Sequence, residues 1–531
     1  MEVDCIPYKD TAYFSPIVLD YLAGAESLKD FYQHLPHFDS FEKLTEERSF
    51  KPENRHILSK AIQDQYQGSI KLKADSPTAV NIKSLEEEQT FTITTGHQLN
   101  LFTGPLYFIY KIVSAINLAK RLREKYPTKK FVPVYWMASE DHDFDEISFF
   151  RFQGKKLQWK TKQSGAVGRM DPRELETVLA EFEKLLTPYT TNGTQLKKWF
   201  KQAYLEHETL ADATRYLAHA LFAEQGLVVV DGDDAALKQL MQPIFEAELK
   251  QEVSAEKVEQ QNKALAKHYK VQANPRAINL FYLTDGSRRR IEKEGEKYII
   301  LDSDQQFSEA EMMQELREHP ERFSPNVLLR PLYQEVILPN LAYIGGGGEL
   351  AYWFELSSTF EYFKVPFPML LLRNSVMWMQ EKEAKYTKEL GLSLKQLFQK
   401  EGMLLKEWVK NNAKEELTLQ AEQEAFAKLY QALVKKSKQI DASLGPHAAA
   451  LAKEQEKKLH QLSEKLIRAE RKKQSATAER IAFLKQSLFP NNSLQERYQN
   501  FSDFYLAYGD QFIEVLLEHL SLPTQDFTVI K

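Results

Sequence analysis

Residues 91–147 constrain the fold most, because they spell one complete strand–helix–strand crossover. Phe91–Thr95 is a short β-branched run and reads as a strand. It breaks at Thr95-Gly96-His97-Gln98, and a second turn follows at Thr103-Gly104-Pro105. Pro105 suits the first helical position, with Thr103 or Gly104 as N-cap. From Leu106 the apolar residues Ile109, Ile112, Val113, Ile116, Ala119 and Leu122 recur at helical spacing. Lys120, Arg121, Arg123 and Lys125 crowd the last turns, where cations complement the helix dipole. Phe131–Ala138 then reads as a buried strand that runs into Glu140-Asp141-His142-Asp143-Phe144-Asp145-Glu146.

Both strand ends carry dense polar chemistry, and open parallel sheets bind ligands outside the carboxyl ends of their strands. The first loop offers Gly96, His97, Gln98, Asn100, Thr103 and Gly104 before a helix N-terminus, an arrangement suited to an anion such as phosphate. The second offers five carboxylates and an imidazole within seven residues. Such a cluster holds magnesium, anchors an ammonium group or places a general base. The competing reading is that acidic loops are solvated and that most strand-to-helix turns bind nothing. Two such loops on neighbouring strands, flanked by Trp136 and Phe144, favour function.

The stretch TTGHQLNLFTGPLYFIYK followed by VPVYWMASEDHDFDEI resembles the signature of the cysteine ligases of bacillithiol biosynthesis, the BshC family. LFPNNSLQER at 488–497 resembles a further block of that family. The resemblance implies ligation of L-cysteine to glucosaminyl-malate, with ATP (leaving as ADP in one version) activating the carboxylate and Mg2+ as an optional ion. The clustering at the two strand ends makes His97, Asp141, His142 and Asp143 the candidate catalytic residues. His97, Gln98 and Asn100 would stabilise phosphate charge. Asp141, Asp143 and Glu146 would hold magnesium or a substrate amine, and His142 would be an acid/base. The family is similar in architecture to class I aminoacyl-tRNA synthetases, of whose His-x-Gly-His loop Gly96-His97 keeps a part. No Lys-Met-Ser-Lys-Ser sequence follows the last strand, where Arg373-Asn374-Ser375 stands instead. Adenylation and phosphorylation therefore both stay open.

Further strands are expected at Leu227–Asp231, Leu338–Ile344 and Phe367–Leu372. Strands alternating with helices imply a parallel sheet covered on both faces, an α/β Rossmann-like core. After the third strand, Asp233 or Asp234 reads as the N-cap of a helix over 235–251. Gly345, Gly346, Gly347, Gly348 and Glu349 open a helix over 350–363, where glycine lets a backbone approach a ligand. The absence of Gly-Lys-Ser/Thr excludes a Walker A loop. Tyr107, Lys111, Trp136, Glu140, Arg330, Gln334, Tyr352, Asn374, Ser375 and Arg497 complete the expected substrate- or nucleotide-binding set.

The core is expected over 1–379, with residues 1–90 mostly helical or irregular and insertions at 150–225 and 252–325. The first insertion opens with a hairpin over 149–160 and continues as helices over 174–186 and 194–225. Its mass is expected over the site as a lid. In the second, a polar helix over 253–270 precedes strands at 279–283 and 298–301. Arg288-Arg289-Arg290 between them reads as a solvated face, with phosphate or carboxylate binding as the alternative.

Over 380–489 glycine thins out, and Leu419, Phe426, Leu433 and Ile440 recur every seven residues. Gly445-Pro446 reads as a helix stop, giving two helices folded back as an antiparallel coiled-coil arm. Residues 490–531 return to the core as helices. The arm suggests a homodimer, and a non-catalytic nucleotide- or thiol-binding scaffold is the alternative function. A net charge of −5 gives no reason to expect nucleic acid. Cys5 is the sole cysteine, which fits the cytoplasm, and no apolar run is long enough for a membrane span.

Overall fold

A computed structural model describes residues 2–186, 190–413 and 415–531. The chain divides into two units. One holds residues 13–377 with both chain ends, up to residue 9 and from 496 to 530; the other is built on 378–495.

The first unit is organised by β1 (Thr90–His97), β2 (Lys130–Met137), β3 (Val228–Asp231), β4 (Asn340–Gly345) and β5 (Met369–Leu372). They form one parallel sheet in the order β5-β4-β1-β2-β3. All five strands were legible in the sequence. β1 runs two residues further than expected, because its ladder with β2 continues to His97 opposite Met137. The strands are buried almost end to end, as a sheet covered on both faces requires. Helix α1 (Tyr107–Lys125) covers one face, packing Ala115, Leu118, Ala119 and Leu122 on Phe91, Ile93, Phe131 and Ile344. It starts two residues after Pro105, with Leu106 as its N-cap. Phe102, Thr103 and Gly104 all have positive φ, and Asn500 Nδ2 donates to the carbonyls of Phe102 (2.7 Å) and Gly104 (2.6 Å). The chain is thus still turning where a Pro-led helix was expected.

Other expectations shift for local reasons. Arg330–Ile337 is a helix, α2, with Pro331 in its first turn. The helix after the glycines is two: α3 (Gly347–Trp353) and α4 (Ser357–Phe363). The break frees Glu355 to accept the backbone N–H groups of Gln272 (2.8 Å) and Ala273 (3.0 Å). The helix expected over 194–225 breaks between Leu205 and Leu210, where Thr209 caps the second piece. That over 235–251 breaks before Pro243, which has no N–H to continue a ladder. The second insertion is a five-stranded antiparallel sheet of Gln306–Ser308, Lys297–Ile300, Ser287–Glu294, Leu280–Thr284 and Phe323–Pro325. The 149–160 hairpin pairs as expected. Strands Val3–Pro7 and Asp526–Ile530, which the sequence reading lacked, pair with each other antiparallel.

In the second unit α5 (Gln420–Ile440) and α6 (Leu444–Lys473) lie side by side as the heptads predict. The turn is at 441–443. Gly445-Pro446 sits inside the first turn of α6, where a Cβ at Gly445 would collide with the Lys438 side chain. Here glycine serves close approach of the two helices and does not stop one. The seam is shallow: no residue of α5 is buried.

At the end of β5 the buried guanidinium of Arg373 pairs with Glu496 at 2.7 Å, and Glu496 also accepts the Val376 N–H at 3.0 Å. Removing one member of such a pair strands the other charge. Glu496→Ala should therefore lower unfolding stability by about 3 kcal/mol, read as a drop in urea midpoint at unchanged slope.

Candidate functional site

In this strand order the connections leave β1 and β4 in opposite directions, and a crevice opens between their carboxyl ends. A cavity of about 780 Å³ occupies it, lined by both predicted loops. Gly96, His97 and Gln98 come from the end of β1. Trp136, Glu140, Asp141, His142 and Glu146 follow β2. Tyr107 and Lys111 come from α1, Arg330 from α2, and Glu349 and Tyr352 from α3.

The ammonium of Lys111 is the buried hub. It donates to the Gly96 carbonyl at 2.8 Å and pairs with Glu349 Oε1 at 2.5 Å. Glu349 also accepts the Tyr343 hydroxyl (2.7 Å) and the Gly346 N–H (3.2 Å). Glu349 therefore both caps α3 and holds the ammonium of Lys111. Burial pushes the Lys111 pKa down against the pull of Glu349. Burial works to raise Glu349, but Lys111 and Tyr343 hold it below the usual carboxylate range.

His97 packs between Tyr107 and Phe108, with both ring centroids 5.2 Å away. Burial, helped by Lys111 and Arg373, pushes its pKa well below the ordinary value. Its Nε2 is shielded from solvent without a hydrogen-bond partner. His97 is thus a neutral ring with one unsatisfied nitrogen, suited to hydrogen bonding and not to carrying charge. Asp141 accepts Gln98 Nε2 (2.8 Å) and the backbone N–H groups of His142 (2.7 Å) and Asp143 (3.3 Å). Burial would raise its pKa, but these donors and Arg288 win and hold it low. Asp143 caps Phe144–Ile147 instead of facing Asp141 across a cation. Among the described residues no group of three His, Cys, Asp or Glu is placed to hold a metal.

Behind the acidic wall lies an ionic layer. Lys238, fully buried, sits 2.7 Å from Glu140 and 3.0 Å from Asp233. Arg169 binds Asp233 through two hydrogen bonds of 2.6 and 2.9 Å. Of the two capping candidates, Asp234 caps the next helix and Asp233 belongs to this layer.

Several predicted residues lie outside the cavity wall. Asn100 donates to the Glu146 carbonyl at 3.0 Å, while Thr103 and Gly104 shape the turn before α1. Gln334 accepts Arg330 Nη1 at 3.1 Å and donates to Glu335 at 2.8 Å. Asn374 is fixed by Ser114 (2.9 Å) and the Ser521 carbonyl (3.0 Å), and Ser375 accepts Arg373 Nη1 at 3.2 Å. Arg497 is exposed. None of the four glycines lines the cavity. At Gly345 a Cβ would come within 2.9 Å of Leu350 and 3.0 Å of Tyr343, so packing accounts for that position.

A further wall includes part of the arginine run for which a solvated face was the preferred reading and anion binding the alternative. It comes from the second insertion, with Gln272, Asn274, Arg276, Phe281, Arg288 and Arg290, and from Asn326 just after it. Among the described residues, none from the first insertion, where a lid was expected, lines the cavity. The arginine run is therefore split in function: Arg288 and Arg290 face the cavity, and Arg289 bonds the Asp302 carbonyl. Its alternation along one strand was the available signal.

A family model described as bacillithiol biosynthesis BshC, N-terminal Rossmann-like domain, matches residues 1–374. One described as the BshC C-terminal coiled-coil domain matches 376–531. A protein of Flavobacterium johnsoniae is 45% identical, with 100% of each chain covered. One of Christiangramia forsetii is 43% identical, covering 100% of this chain and 99% of its own. One of Bacillus cereus is 29% identical, covering 95% of each. All three bear the name of a BshC cysteine ligase.

Because His97 is held neutral, the unfolded chain takes up a proton first as pH falls. Stability from the neutral ring is present above about pH 6.5 and is lost as pH falls towards the folded pKa. Between pH 7.5 and 5.5 the wild type should lose about 1 kcal/mol more unfolding stability than His97→Gln, measured by urea titration at both pH values.

Proposed function

Because the chain belongs to the BshC family of bacillithiol biosynthesis, we propose that it ligates L-cysteine to glucosaminyl-malate in the crevice between β1 and β4. The observation that carries the reading is convergence. Three chain segments more than a hundred residues apart at their widest supply one cavity, of a size that suits small-molecule substrates.

An amide does not form from a free carboxylate and an amine near neutral pH at useful rates, so the carboxylate must be activated. In this reading ATP is the activator. Arg276 and Arg290, which make no ion pair among the described residues, suit phosphate or carboxylate charge. His97 lines the cavity as a neutral ring, which suits hydrogen-bonding an oxygen on which charge develops. Asp141, ionised and held by Gln98, suits an ammonium group. Mg2+ would enter with the nucleotide and not on a preformed protein cluster. The single cysteine suits work in the reducing cytoplasm, and no helix among the described residues is long and apolar enough to cross a membrane.

The arm supports self-association. Leu429 (54% exposed), Leu433 (41%), Ile440 (74%) and Leu462 (47%) leave apolar surface along α5 and α6 that a second copy would cover.

Purified protein given cysteine, glucosaminyl-malate and ATP should form the cysteine amide. His97→Ala and Asp141→Ala should each slow it by about 100-fold or more, as loss of a preorganised group does. Absence of product with a folded, ligand-binding protein would instead favour the scaffold reading. Leu429→Glu with Leu433→Glu should convert a dimer to monomer in sedimentation velocity.

A further inference from the structure

Arg288 reaches the cavity from the second insertion, yet three of its five N–H donors are already engaged, one on each nitrogen. It lies 4.0 Å from the centre of the Phe281 ring. Nε donates to Ser324 Oγ at 3.0 Å and Nη2 to the Pro325 carbonyl at 2.9 Å. Nη1 meets His142 Nδ1 at 3.0 Å. A guanidinium has donors only. His142 Nδ1 must therefore be the acceptor, and the ring proton sits on Nε2.

The neighbouring carboxylate does not compete. Asp141 Oδ1 lies 3.8 Å from Nδ1, beyond hydrogen-bond reach, and it already accepts the backbone N–H groups of His142 and Asp143. This is the reverse of the familiar carboxylate–histidine pair, in which the acid takes the Nδ1 proton and leaves Nε2 bare as a base.

We infer that Arg288 is a positioning residue of the ligation site, locking His142 as the neutral Nε2–H tautomer, so that the ring donates a hydrogen bond and does not abstract a proton. The inference rests on the ligase reading for what the donor serves: negative charge developing on the reacting acyl or phosphoryl oxygen. It also gives the insertion a defined task. Three contacts within the insertion hold the guanidinium, and its Nη1 sets the chemistry of a loop on the central sheet.

The test uses the full-length protein labelled with 15N-histidine, with His142→Gln assigning the signal among the 12 histidines. At pH 7.5 the wild type should show His142 with an unprotonated Nδ1 and a protonated Nε2. Arg288→Met, which keeps the stem on Phe281, should lose that fixed pattern and lower kcat by about 10- to 100-fold while the KM values stay within a few-fold. Arg288→Lys, still a donor, should restore the tautomer and most of kcat. A protonated Nδ1 in the wild type would overturn the inference, as would an unchanged tautomer or unchanged kcat in Arg288→Met. Because the wild-type tautomer is read without turnover, failure of this inference is distinguishable from failure of the ligase reading.

Discussion

The crevice depends on a single buried ammonium. Lys111 joins the end of β1, through the Gly96 carbonyl, to the first turn of α3, through Glu349. A charge taken out of water costs several kcal/mol unless its partners are placed well. Here the partners are a carbonyl at a strand end and a carboxylate that also caps a helix. Satisfying the ammonium fixes the two strand ends between which the topology reverses. The sheet order alone would open a gap there. The ion pair sets its width and leaves the Tyr343 hydroxyl, which shares Glu349, on its wall.

With that floor fixed, the remaining polar groups fall into two walls. The β2 loop supplies Glu140, Asp141 and Glu146, and the second insertion supplies Arg276, Arg288 and Arg290. Such a partition suits a reaction between a zwitterionic amino acid and an anionic partner, because each charged end then meets its complement. It also explains the ionic layer under the acidic wall. A buried ion pair rarely stabilises more than apolar residues of equal volume. Lys238 and Arg169 are better understood as holding Glu140 and Asp233 in place beside the cavity.

Much of this was legible in the sequence, for physical reasons that differ by element. β-branched runs at 91–95 and 227–231 and the apolar run at 367–372 announce buried strands, because a parallel sheet is covered on both faces. Heptads announce α5 and α6. Gly96, His97, Gln98, Asp141 and His142 stand beside strand ends, and strand ends are where an open sheet presents its ligands. What escaped was set by contacts distant in sequence. Nothing local in the 350–363 stretch shows that Glu355 will turn aside to hold Gln272 and Ala273. Thr103 and Gly104 look like a helix cap until Asn500, nearly 400 residues later, closes them into a turn. The basic wall stood only as the second reading because three consecutive arginines look like surface, whereas a strand sends alternate residues to one side.

That alternation carries the last step. Arg288 and Arg290 point with one face of their strand and Arg289 with the other, so a run of like charge is sorted by the pleat into a working face and a structural one. The two working arginines then differ again. Arg288 is held by Phe281, Ser324, Pro325 and His142, while Arg290 makes no ion pair among the described residues. A guanidinium held on every nitrogen orients its neighbours, and an unpaired one beside a cavity attracts anions. Residue type and spacing put both on the wall; only the contacts beneath it separate the group that positions from the group that binds.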